Sequence, residues 1–225
     1  MLAAASLAES FHELGRAYER GHPGERLVFS FAGSQTIAAQ LRAGASAHLI
    51  ATAHPAVMER LRQEKRVLDV DEFATNRLVW VFAGADPPAS TAELARRLPN
   101  SDWRLVLAAP EVPAGRYAQE ALERMGLREA AEARLVSREL DVKGVLAKLQ
   151  LGGADAGLVY ATDVAAAPGA GLTVLELPDA AQVRAHYRIA AVASQKRTRA
   201  RAFIGFVRGR EGQAILRAHG FGAAS

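Results

Sequence analysis

The chain has 225 residues, half of them hydrophobic and 23% charged, enough apolar matter for a packed core and an argument against disorder. Cysteine is absent, which excludes disulfides, cysteine-ligated zinc, iron–sulfur clusters and a cysteine nucleophile. The formal charge of 28 − 24 = +4 is well short of a dedicated nucleic-acid binder, and no apolar run approaches the ~20 residues of a membrane helix.

Leu2–Ala5 is a short apolar run. Ser6–Arg20 is amphipathic, with Leu7, Phe11, Leu14 and Tyr18 at helical spacing, and Gly21-His22-Pro23-Gly24 breaks it. Arg26–Phe31 (RLVFSF) predicts a strand, Ser34–Ala43 a helix closed by Gly44, His48–Ala53 a strand, and Pro55–Lys65 a helix with proline in its first turn. Leu78–Ala83 (LVWVFA) is a fully apolar strand, followed by a turn at Asp86-Pro87-Pro88, a helix over Thr91–Leu98 and a strand over Arg104–Ala109. Helices follow at Ala114–Met125 and Asp141–Leu151, with strands at Arg134–Ser137 and Ala156–Tyr160. Pro168–Gly171 reads as a flexible loop, Leu172–Leu177 and Tyr187–Ala193 as strands, and Lys196–Arg208 and Glu211–His219 as helices, the second stopped by Gly220. Such alternation argues for parallel sheet with helices on both faces. The expected organisation is two α/β lobes, residues 1–77 with 190–225 and residues 78–189, with a ligand cleft between them where strand ends and helix starts converge.

The helix starts carry the chemistry. Ser6 follows the first strand and precedes Glu9 by three residues, a capping-box spacing, and Ser34 stands at an N-cap after RLVFSF-Ala-Gly. Most serines at such places only cap. As a pair they lie at the carboxyl edge of one sheet, where unpaired N–H groups and the helix dipole make an anion site without lysine or arginine. The second lobe offers Pro113-Ala114-Gly115 and Asp141-Val142 at helix starts, and Tyr160 at a strand end, where a phenol can donate to an oxygen.

The segments Ala3-Ala4-Ala5-Ser6-Leu7, Phe31-Ala32-Gly33-Ser34, Pro113-Ala114-Gly115-Arg116-Tyr117-Ala118, Asp141-Val142, Gly157-Leu158-Val159-Tyr160 and Gly220-Phe221 form a collinear set spanning nearly the whole chain. In that order and spacing the chain resembles the periplasmic molybdate-binding proteins of ABC importers, of the bilobed type II periplasmic binding protein fold. The resemblance implies a non-enzyme without a cofactor, a monomer that captures molybdate or tungstate and delivers it to an ABC permease. It implies that Ser6 and Ser34 give hydroxyls and backbone N–H groups, Ala114 and Val142 backbone N–H groups, and Tyr160 its phenol. The metal would thus be held only as its oxyanion, with no direct metal-ion ligand. Neutral donors would reject protonated anions, and sulfate would be excluded by cavity size. The family also implies a periplasmic location, a leader and more strand ahead of Ala3. It usually carries aspartate where this chain has His48, His54 and Ala109, while Asp163 is retained. These three positions are expected to cap or support loops.

Other chemistries find no constellation. His12-Glu13 lacks the second histidine of a zinc-protease helix, and no Gly-x-Ser-x-Gly elbow or Walker loop occurs. The basic run Lys196-Arg197-Thr198-Arg199-Ala200-Arg201 reads as the solvated face of a helix whose Phe203, Ile204 and Val207 face the core. The alternative function is a sensor or binding domain, cytoplasmic in location, for sulfate, phosphate or an organic anion.

Overall fold

The computed structural model of the chain describes residues 1–84, 86–167, 171–193 and 197–224. The chain divides into two units, Met1–Asn76 with Ala185–Ser225, and Arg77–Arg184.

In the first unit the strands are β1 (Leu2–Ala4), β2 (Ser30–Ala32), β3 (Leu49–Thr52), the first part of β4 (Val67–Phe82) and most of the last strand, β9 (Arg184–Val192), in the order β2-β1-β3-β9-β4. β1 runs parallel to β2 and β3, and β9 runs antiparallel to β3. α2 (Ser34–Arg42) and α3 (Pro55–Gln63) bury Ile37, Leu41, Met58 and Leu61 with Leu2 and Ile50 of the sheet. α1 (Ala8–Gly21), α9 (Arg197–Arg208) and α10 (Arg210–Ala218) belong to a second cluster, in which Phe11 meets Phe73 and Phe203 edge-on. Phe203, Ile204 and Val207 of α9 are buried, as their helical spacing requires.

In the second unit the order is β4-β7-β5-β6, formed with β5 (Leu105–Ala108), β6 (Leu135–Glu139) and β7 (Ala156–Tyr160), while β8 (Thr173–Glu176) also pairs with β4. β5 is parallel to β6 and β7, and β7 is antiparallel to β4. The helices are α4 (Thr91–Arg97), α5 (Pro113–Arg124), α6 (Arg128–Ala133), α7 (Val142–Gln150) and α8 (Ala161–Ala165). Gly157 lets β7 close on β5, since a Cβ there would stand 2.6 Å from the Val106 carbonyl oxygen.

Several elements differ from their sequence-based bounds. β4 begins at Val67, eleven residues before the apolar run at Leu78. Asp69, Asp71 and Glu72 interrupt the apolar pattern there, but Arg201, Arg208 and His186 meet them at 2.9, 2.6 and 3.0 Å. β2 is Ser30–Ala32 rather than Arg26–Phe31, because β1, which pairs with it residue for residue, is three residues long. α6 and α8, of six and five residues, are too short to show a helical period. Of the loop read at Pro168–Gly171, residues 168–170 lie outside the described residues, as does Lys196 of the basic run.

Candidate functional site

Ala4 pairs with Ala32 across the parallel strands β1 and β2, and Ser6 and Ser34 each follow two residues later. Both serines therefore stand just past the carboxyl ends of neighbouring parallel strands, at the same edge of the sheet. Both side chains are buried, Ser6 at 5% and Ser34 at 1% exposure.

Neither serine is the N-cap that its spacing suggested. The extended backbone that capping needs falls at Ala4, from which a 3-10 turn (Ala5–Leu7) runs into α1, so Ser6 is already helical and forms no capping box with Glu9. Its hydroxyl lies instead 2.8 Å from the phenol of Tyr187. At α2 the cap position is Gly33, extended at φ −55° and ψ 144°, and Ser34 is the first helical residue. The Ser34 hydroxyl oxygen accepts from the Ala53 N–H at 3.0 Å. A hydroxyl that accepts in this way keeps its proton for donation to another acceptor. Helix geometry leaves the first N–H groups of α2 for partners outside the helix.

In the second unit Ala114 and Val142 follow the carboxyl ends of the parallel strands β5 and β6, and Tyr160 is the last residue of β7. All three are buried, at 4%, 3% and 2% exposure. α5 opens with Pro113 as its first residue and no side-chain cap, so the Ala114 N–H lies in an open first turn. Gly115 makes this possible: a Cβ there would fall 2.1 Å from the Ala109 carbonyl oxygen and 2.3 Å from that of Ala108. α7 is capped by Asp141, whose carboxylate accepts from Gly144 N–H at 3.0 Å, and Val142 is its first residue.

Tyr160 ends β7, and its backbone N–H donates to the buried Asp163 carboxylate at 3.3 Å. Lys143, next to Val142, brings its ammonium 3.3 Å from the other oxygen of Asp163. A cation therefore does stand at this helix start, where the sequence argument used none, and a buried carboxylate balances it. Lys143, Tyr187 and Asn76, which donates to the Tyr187 phenol at 3.3 Å, were missed by sequence reasoning. The sequence hint for Lys143 was its place beside Val142. Tyr187 showed only as the start of an apolar strand.

The three positions where aspartate was expected have different surroundings. His54 caps α3, its Nδ1 accepting from Ala56 N–H at 3.0 Å, a bond that requires Nδ1 without a proton. Ala109 donates its N–H to the Glu139 carbonyl at 2.8 Å, joining β5 to β6. His48 is exposed and lines a cavity of about 220 Å³ with Leu49 and Gly24–Leu27, at the amino ends of β3 and β2 and therefore opposite the serines. Among the described residues no group of three His, Cys, Asp or Glu side chains could hold a metal ion, and no helix is long and apolar enough to cross a membrane.

Residues 1–222 match the model of the bacterial extracellular solute-binding protein family. The molybdate-binding protein ModA of Mycobacterium tuberculosis (strain H37Rv) is 36% identical over 228 residues, which cover 98% of this chain and 83% of that protein. ModA of Escherichia coli (strain K12) is 31% identical, covering 98% of this chain and 87% of its own. The periplasmic molybdate-binding protein of Azotobacter vinelandii superposes with a TM-score of 0.88 at 21% identity, covering 100% of this chain and 98% of that one, so the two share a fold.

Proposed function

The chain belongs to the bacterial extracellular solute-binding proteins, and from that membership we propose that it captures molybdate or tungstate and passes it to an ABC permease. The observation that supports this reading is the paired register of β1 and β2, each of which is followed two residues later by a buried serine at a helix start. The relatives named for molybdate binding span nearly the whole chain and favour this anion over sulfate, phosphate or an organic anion.

The proposed donor set is the hydroxyls and N–H groups of Ser6 and Ser34, the N–H groups of Ala114 and Val142, and the Tyr160 phenol. A tetrahedral dianion stripped of water needs several donors at once, because a buried charge left unpaired is very costly. Neutral donors fixed by the backbone supply them without reorganisation. They also select against protonated oxyanions, whose extra proton would meet a donor instead of an acceptor. The Lys143–Asp163 pair adds no net charge, so selectivity rests on hydrogen-bond polarity and size. The protein would work as a monomeric receptor on the periplasmic side, without catalysis and without a cofactor.

Isothermal titration with molybdate, tungstate, sulfate and phosphate tests the reading. Heat of binding with the first two and none with the others is the expected result. Ser34→Ala with unchanged molybdate affinity would overturn the donor set.

A further inference from the structure

Behind Ser6 stands a buried polar chain outside the proposed donor set. The Ser6 hydroxyl is 2.8 Å from the phenol oxygen of Tyr187, and the Asn76 side-chain amide nitrogen is 3.3 Å from that same oxygen. Ser6, Asn76 and Tyr187 are 5%, 4% and 0% exposed, and they come from three separate elements: the turn after β1, β4 and β9. Phe73 and Phe221 hold the Tyr187 ring edge-on, with centroids 6.1 and 5.3 Å away.

Either oxygen of the Ser6–Tyr187 bond can be its donor. An amide nitrogen only donates, so the Tyr187 oxygen accepts from Asn76. Donation of the phenol proton to Ser6 makes the Ser6 oxygen the acceptor of that bond. A serine hydroxyl that has accepted in this way turns its own proton outward. Resting on the oxyanion reading above, we propose that Tyr187 and Asn76 are positioning residues that hold Ser6 as a donor toward the bound anion. A dianion presents acceptors alone, so a serine rotated to present a lone pair would repel it. The relay fixes one of two hydroxyl orientations before the anion arrives, and successive hydrogen bonds in a low-dielectric interior polarise one another in the same sense.

A double-mutant cycle tests the relay, with molybdate affinity measured by titration calorimetry on wild type, Tyr187→Phe, Ser6→Ala and the double variant. Tyr187→Phe keeps the ring and removes only the phenol oxygen, and its affinity is expected to fall roughly tenfold, the loss typical of one hydrogen bond to a charged group. In the Ser6→Ala background the same change is expected to alter affinity less than twofold, because the residue acts through Ser6. Wild-type affinity in Tyr187→Phe, or losses that add in full, would overturn the relay. Asn76→Ala provides the same cycle should Tyr187→Phe fail to fold, with a smaller loss that again vanishes without Ser6. Unfolding midpoints of the variants separate a folding defect from a binding one. A wild-type protein that binds no molybdate would overturn the oxyanion reading and the relay with it. A wild-type protein that binds, beside an unaffected Tyr187→Phe, would overturn the relay alone.

Discussion

The Ser34 hydroxyl joins two parts of the first unit, since its oxygen accepts from Ala53 N–H while its proton is free to turn elsewhere. Ser34→Ala should therefore act twice. Molybdate affinity should fall by about 1.5–3 kcal/mol, the cost of a hydrogen bond to a charged group, measured by calorimetry. The apo protein should also unfold earlier, because the Ala53 N–H loses a buried acceptor. His54 gives a contrasting case. His54→Ala removes the α3 cap and should lower stability by ~1 kcal/mol, while His54→Asp, which also accepts from the backbone, should restore it in thermal unfolding. The serines were legible because they follow strands and open helices. Tyr187 was not, since its bond to Ser6 spans 181 positions and no local pattern signals it. The capping box failed for a related reason: Ser6 and Glu9 had the right spacing, but the chain turned at Ala4 and left Ser6 inside the helical turn.

Among the elements, α5 depends on a contact that a sequence pattern cannot show. Its first turn rests on the last carbonyls of β5, and Gly115 is the residue that allows it. Gly115→Ala would drive a methyl into backbone oxygen, with overpacking that typically costs about 1–3 kcal/mol or more, read as a lower unfolding midpoint and weaker anion binding. The starts of β5 and β7 are joined by Arg104, whose guanidinium reaches Asp155 at 2.7 Å. That hydrogen bond, helped by one from the Arg104 N–H, holds the Asp155 carboxyl below the usual carboxylate range despite its partial burial. A carboxyl lowered on folding stabilises the fold above its unfolded pKa, and that stability is lost as pH falls through the folded value. Asp155→Asn should therefore lower the unfolding midpoint near neutrality and flatten its decline in acid, followed by circular dichroism from neutral pH downward. The early half of β4 stayed hidden in the sequence because its aspartates are matched by arginines of α9 more than a hundred positions away. The strand at Leu78–Ala83 needed no such partner, and its apolar run alone marked it.

On the scale of the whole molecule, the order of the longer strands and helices was legible because most of them carry their own apolar period. The basic run of α9 takes its meaning from tertiary structure, with Arg199, Arg201 and Arg208 facing Glu25, Asp69 and Asp71. These pairs are exposed, so each adds little to stability and serves mainly to balance charge. Each unit places its proposed donors at the carboxyl ends of its parallel strands. The proposed function is the uptake of one group VI oxyanion. Thermal unfolding of the purified chain with molybdate, tungstate, sulfate or phosphate tests it most directly. Ligand at a hundred times its dissociation constant adds about 2.7 kcal/mol, and each kcal/mol moves the midpoint of a chain this size by roughly 2–4 °C. A rise of about 5–10 °C with molybdate and tungstate, and none with sulfate or phosphate, is expected. A rise with sulfate or phosphate instead, or no rise with any of the four, would contradict it.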